Sequence, residues 1–148
     1  MQSITQRCLN AFYFLVLFYI LNILSNTIQF IIDGDTYSRV LDSVLHSIIL
    51  LPVTFMIFYR GYRSVAYDNT MFKVYLYSEL PILVFYCYHL KYQSLCYNGI
   101  DRLVDKFNEQ KWMSFKFILA ENLVLFCTIW LRFATTIQAI NWRTRDTY

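Results

Sequence analysis

The chain is poor in the residues that turn, break or solvate a polypeptide. It holds three glycines and two prolines in 148 residues, too few for a loop-rich or β-rich fold with its many turns. Charged residues make up 16%, against roughly 25% in a typical soluble domain, so a water-facing surface would be hard to assemble. The net charge of +3 is small and scattered. No window combines a basic stripe with interleaved aromatics, and no nucleic-acid partner is expected. The four cysteines, Cys8, Cys87, Cys96 and Cys127, form no C-x-x-C pair and no zinc spacing, so no metal site is expected. Asn-x-Ser/Thr acceptors are missing. So are Ser/His/Asp and Cys/His sets and phosphate-cradling glycine loops. The sequence predicts neither an enzyme nor a cofactor.

What the chain has in abundance is apolar and aromatic surface. Hydrophobic residues reach 57% and aromatics 20%, with 13 Tyr and 13 Phe. Tyr is amphipathic and suits the boundary between bilayer and water. A very hydrophobic soluble bundle is the competing class, and the length of the apolar runs decides against it. A spanning helix needs about 20 mostly apolar residues, and four candidates stand out, at residues 11–32, 43–60, 72–90 and 114–137. The expected fold is therefore all-α: a single polytopic membrane domain of four transmembrane helices. The first run is too long for the core of a cleaved signal and lacks a small-residue cleavage site. Its far half carries Asn22, Ser25, Asn26, Thr27 and Gln29, which should face other helices rather than lipid. The second contains His46 and Pro52, the third Glu79 and Pro81, and the fourth Glu121 and Arg132. Between the third and fourth, Ile100, Leu103, Val104 and Phe107 recur at helical spacing with Asp101, Arg102, Asp105, Lys106 and Glu109 opposite. That is a short amphipathic helix, expected to cap the bundle. Four crossings place both termini on one side. Arg60, Arg63 and Lys73 against Asp68 in the short second loop assign that side to the cytoplasm or its equivalent.

Ionisable groups inside a bilayer are costly and direct attention to themselves. Asn22, His46, Glu79 and Glu121 are expected to make buried polar contacts. His46 and His89 are the only histidines and fall near the same end of neighbouring spans. A haem would also need small residues around it, which the sequence does not supply. Glu79 either pairs with a base on another helix or stays protonated through burial, and proton relay is the sharper alternative to a plain interhelical contact. Glu121 and Arg132 share a helix face about 16 Å apart, too far to pair with each other.

The stretch from about residue 10 to 92 resembles the secretory carrier membrane protein family, four-span proteins of secretory and endocytic membranes. The matching elements, in order, are Leu21-Asn22, Asp33, Pro52-Val53-Thr54-Phe55, Phe58-Tyr59-Arg60 and Phe72-Lys73. The family's Pro after Tyr-Arg is Gly61 here, and its N-terminal Asn-Pro-Phe region has no counterpart in this chain. The resemblance implies cytosolic termini and an interfacial loop from Phe58 to Lys73, associated in the family with fusion and acidic phosphoinositides. Tyr59, Arg60, Tyr62, Arg63 and Lys73 suit an anionic lipid surface on physical grounds as well. The expected role is membrane trafficking or membrane organisation in the secretory endomembranes, through lipids and other transmembrane proteins. The alternative is an accessory subunit of a large complex, such as a respiratory or ATP synthase assembly of the mitochondrial inner membrane.

Overall fold

The computed structural model describes the backbone of residues 2–67 and 69–145, and the side chains of residues 6–57, 59 and 72–141. Five helices account for nearly all of it: α1 Gln2–Asp33, α2 Tyr37–Tyr67, α3 Asn69–Lys91, α4 Ile100–Asn108 and α5 Trp112–Arg145. No strand forms among the described residues; Ser94 and Tyr97 make one isolated bridge across a turn. Three helices hold segments long and apolar enough to cross a bilayer, Gln6–Asp33, Tyr37–Ile57 and Trp112–Asn141. α3 is long enough at 23 residues, but its tyrosines, Glu79 and His89 dilute its apolar character.

Tertiary contacts alternate the helix directions. Phe12 packs on Phe55 and Arg39 reaches Asn26, so α2 runs antiparallel to α1. Asn22 bonds Glu121, while Cys8 and Ala11 lie beside Arg132 and Thr135, which sets α5 antiparallel to α1. α3 runs opposite to α5, joined through Glu79–Arg132 and Tyr75–Thr136. The two apolar clusters are small: Leu15, Phe18, Tyr19, Tyr86, Tyr97 and Leu125 around Cys96, and Phe72, Tyr75 and Ala139 towards the end that holds the termini.

The distribution of polarity is the reverse of a soluble bundle. Among the described residues, polar and charged side chains outnumber apolar ones in the interior, while Leu, Ile, Phe, Tyr and Trp dominate the exposed set. Such a surface suits hydrocarbon, and such an interior needs internal partners.

Two expectations from sequence change here. The segment expected as a loop from Phe58 to Lys73 is helical up to Tyr67 and again from Asn69. A single Gly61 carries too small a helix penalty, about 1 kcal/mol, to stop a helix already nucleated. The amphipathic segment does sit on the end of the bundle as α4, but most of its apolar face is not turned inward. Lys106 is buried and Arg102 half-buried, whereas Ile100, Val104 and Phe107 face outward. Asp101, Asp105 and Glu109 are exposed as well, so it is the two cations, drawn by Asp33 and Asp35, that turn to the protein.

Residues 92–99 are irregular, yet Cys96, Tyr97, Asn98 and Gly99 are buried. The turn is closed by Tyr97 N–H to the Ser94 carbonyl at 2.7 Å. Gly99 lets this segment press against the end of α3: a Cβ there would lie 2.7 Å from the Tyr92 carbonyl carbon and 2.8 Å from the Lys91 carbonyl. Gly34 differs, with φ +74° and open space around it. Gly99→Ala is expected to destabilise the fold by about 1–3 kcal/mol through steric displacement. Gly34→Ala should cost about 1–2 kcal/mol through its left-handed backbone alone. Thermal unfolding in micelles measures both, and only Gly99→Ala should also increase proteolysis within residues 92–99.

Candidate functional site

The side chains with chemical capacity form three tiers along the bundle. The upper tier begins on α1, where Asn22, Ser25, Asn26 and Gln29 recur every three or four residues and so share one face. All four are buried, and opposite them stand Glu121 and Asn122 of α5. The inserted segment 92–99 lies between. Asn22 Nδ2 donates to Glu121 Oε1 at 2.7 Å and to the Cys96 carbonyl at 2.9 Å. Asn98 Nδ2 donates to Glu121 Oε2 at 3.0 Å, so both carboxylate oxygens accept from amides. The Asn98 Oδ1 accepts from Arg39 Nη2 at 2.8 Å and Gln29 Nε2 at 3.1 Å, and its main-chain carbonyl accepts from Asn122 Nδ2 at 2.7 Å. Asn98 thus links α1, α2 and α5 to the inserted backbone, and Arg39 faces the Glu121 carboxylate through its amide.

At the mouth of this tier, ion pairs seat α4. Lys106 Nζ lies 2.7 Å from Asp33 Oδ2, both side chains only 1% exposed. Arg102 pairs with Asp35 and donates to Gln29 Oε1 at 3.0 Å. Asp35 lies in the α1–α2 connection. Burial alone would raise its pKa, but Arg102, Lys106 and Arg39 more than offset this and hold the carboxyl below its ordinary value.

The middle tier is aromatic. Tyr19 Oη meets Tyr86 Oη at 2.9 Å and Tyr97 Oη at 3.3 Å. His46 Nδ1 lies 3.3 Å from Tyr97 Oη and 3.5 Å from Cys96 Sγ. His89 donates through Nδ1 to the Phe85 carbonyl at 2.7 Å, which fixes its tautomer. Tyr97 packs against both imidazoles, with ring centroids 5.5 Å from His46 and 4.2 Å from His89. Among the described residues no group of three or more His, Cys, Asp or Glu side chains is arranged to hold a metal ion.

The lower tier is the pair between Glu79 of α3 and Arg132 of α5. Arg132 donates through Nε at 2.6 Å and Nη2 at 2.8 Å, the bidentate geometry that favours Arg over Lys. Both side chains are buried, at 3% and 7% exposure. A cavity of about 20 Å³ beside them, walled by Cys8, Tyr75 and Thr135, has room for about one water.

Of the residues singled out from sequence, Asn22 and Glu121 meet in the upper tier, half-buried His46 joins the middle one, and Glu79 forms the lower one. Tyr59 and Lys73 are exposed. The side chains of Arg60, Tyr62 and Arg63 lie outside the described residues. Sequence reasoning did not pick out Asn98, Tyr97, Arg39 or Lys106 as site residues. Arg39 and Lys106 had the look of loop and surface charges, and nothing local marks residues 96–98 as an insertion.

Comparison with known proteins returned nothing: no family model, no curated protein and no solved structure matches the chain.

Two outcomes follow from this geometry. Arg132→Met leaves Glu79 buried without its partner and should cost about 3–5 kcal/mol; Glu79→Leu combined with Arg132→Met should recover most of that loss in chemical unfolding measured in micelles. Because the Asp35 carboxyl is held low, its contribution is complete above the ordinary carboxylate range of about 4 and disappears as pH falls through the folded value. Acidification should therefore raise hydrogen exchange in α4, and Asp35→Asn should show that raised exchange already at neutral pH.

Proposed function

We propose that the chain is a four-span, non-enzymatic membrane protein that works through contacts with lipids and other membrane proteins. Its role is membrane trafficking or membrane organisation, as in the secretory carrier membrane proteins it resembles, with residence in the secretory endomembranes and termini on the cytoplasmic side. α3 supplies the fourth crossing. Its 23 residues extend about 34 Å, its charged Glu79 is neutralised by Arg132, and its directions of contact fit an up-and-down bundle. The observation that carries the reading is that each of the interior carboxylates has a partner within the protein: Glu79 with Arg132, Glu121 with two amides, Asp33 with Lys106. Groups so occupied support architecture, which leaves the outer faces and the membrane-proximal charges as the working surfaces. Tyr59 and Lys73 are exposed at the edge assigned to anionic lipid.

One observation favours the accessory-subunit alternative. Tyr77 points outward from α3 and is 75% exposed, about 12 Å from the start of that helix. A phenol facing hydrocarbon gains from a partner, and a neighbouring subunit would provide one.

Native electrophoresis after mild detergent extraction separates the two readings. Migration as a monomer or small oligomer is expected; comigration with a large assembly would replace the trafficking reading by the subunit one. The lipid contact is checked by Arg60→Gln, Arg63→Gln and Lys73→Gln together. They should weaken binding to anionic liposomes by about 1 kcal/mol per charge, and unchanged affinity would remove that contact.

A further inference from the structure

The end of the bundle that holds the termini carries a surface feature outside the three tiers. Trp130, Phe133, Ala134, Ile137, Gln138 and Asn141 of α5 recur every three or four residues and form one wall of a groove of about 550 Å³; Arg7 of α1 closes it. That volume lies within the roughly 300–1,000 Å³ of ligand sites. Arg7 and Asn141 line the same groove, and because Cys8 and Ala11 lie beside Arg132 and Thr135 in the antiparallel α1–α5 pair, Arg7 falls towards its Asn141 end. Trp130 lies about 16 Å deeper along the helix, close to the 15 Å or so of hydrocarbon in one leaflet. The two ends differ in chemistry. At the shallow end stand a guanidinium and two amide side chains, with no acidic side chain in the lining among the described residues; at the deep end are an indole, a phenyl ring and aliphatic groups.

From this pairing we infer that the α1–α5 groove binds one anionic phospholipid, with its phosphate at Arg7 and an acyl chain along Ala134 towards Trp130. Length, depth and charge select this occupant. A cation at headgroup level matches the phosphate, the amides match glycerol esters and headgroup donors, and a trough one leaflet deep matches a single chain. The alanine matters because it is the small residue in the wall, flanked by Phe133 and Ile137. The site rests on α1 and α5 crossing a bilayer, but not on whether the protein acts alone or as a subunit.

Native mass spectrometry of the full chain, released from detergent with phosphatidylserine or phosphatidylcholine added, tests the assignment. One phosphatidylserine adduct is expected to persist at a concentration where phosphatidylcholine does not. Arg7→Gln should weaken it about fivefold, the equivalent of one lost basic contact, and Ala134→Phe should abolish it by filling the trough. Trp130→Ala, at an exposed position that places little demand on folding, should weaken it while leaving the charge intact. Equal binding by all variants would overturn the site. Loss with Arg7→Gln but not with Ala134→Phe or Trp130→Ala would also overturn it, since that pattern describes a diffuse surface charge. A wild-type dimer that Ala134→Phe dissociates, with lipid adducts unchanged, would assign the groove to a second copy instead. Recovery of the chain from membranes without detergent would end the spanning reading itself, an outcome distinct from failure of the lipid site.

Discussion

An irregular stretch of backbone placed among helices with an apolar exterior has no water to turn to, so each of its peptide groups must be matched inside the protein. The buried part of the 92–99 segment, Cys96 to Gly99, is under that constraint, and the upper tier serves two of its carbonyls. The Cys96 carbonyl accepts from Asn22 and Asn26, and the Asn98 carbonyl accepts from Asn122. The polar stripe of α1 therefore replaces water for a particular turn of chain. Glu121 then follows from the same need, since the Asn22 amide that serves the Cys96 carbonyl also donates to one carboxylate oxygen, and the inserted Asn98 amide donates to the other. The segment lies beside Asn22, about 16 Å along α1 from Asp33, which makes it a plug inserted from one end of the bundle.

The same logic orients α4. A helix with a strongly two-sided pattern beside a soluble core would bury Ile100, Val104 and Phe107. Here it buries Lys106 against Asp33 and turns the apolar side out, where Phe107 packs with Trp112 and Phe115 at the start of α5. Charged pairs so fully desolvated contribute little net stability, because the cost of removing the ions from water offsets their attraction. Their effect is specificity: α4 has one seat, and the plug that precedes it has one depth.

How far these features can be read from the sequence varies with the range of the interaction. The apolar runs are local, and helices cover each of them, with ends that run up to nine residues beyond the expected bounds. The inward face of α1 is local too, since Asn22, Ser25, Asn26 and Gln29 share a helical spacing that needs no knowledge of the partner. The partner of Glu79 is not local; burial and pairing were both open until α5 brought Arg132 alongside. Arg39 and Lys106 misled for a further reason. A charge next to an apolar run looks like a solvated boundary, and only the packing of residues 92–99 and α4 over the helix ends encloses it. The helical course of α2 beyond Tyr59 shows the opposite bias, for an aromatic and cationic edge marks where hydrocarbon ends, not where hydrogen bonding along a helix does.

The two ends of the bundle consequently differ in what they leave available. At the plugged end, Asp33, Asp35, Arg102 and Lys106 neutralise one another, while Lys91, Asp101, Asp105, Glu109 and Lys116 stand exposed with both signs mixed. At the end holding the termini, Glu79 is taken by Arg132, while Arg7 and Lys73 stand exposed, and Arg143 and Arg145 follow in sequence. Cations clustered at one end of a bundle are the kind of charge that favours an anionic leaflet, which is the contact proposed above. The exposed apolar face of α5 has a direction as well, with Arg7 towards the end that holds the termini and the rings of Phe133 and Trp130 further in. The internal ion pairs and the outer surface are thus one arrangement: pairing takes the interior charges out of play, and the charges left outside sit at the two ends of the bundle, mixed in sign at the plugged end.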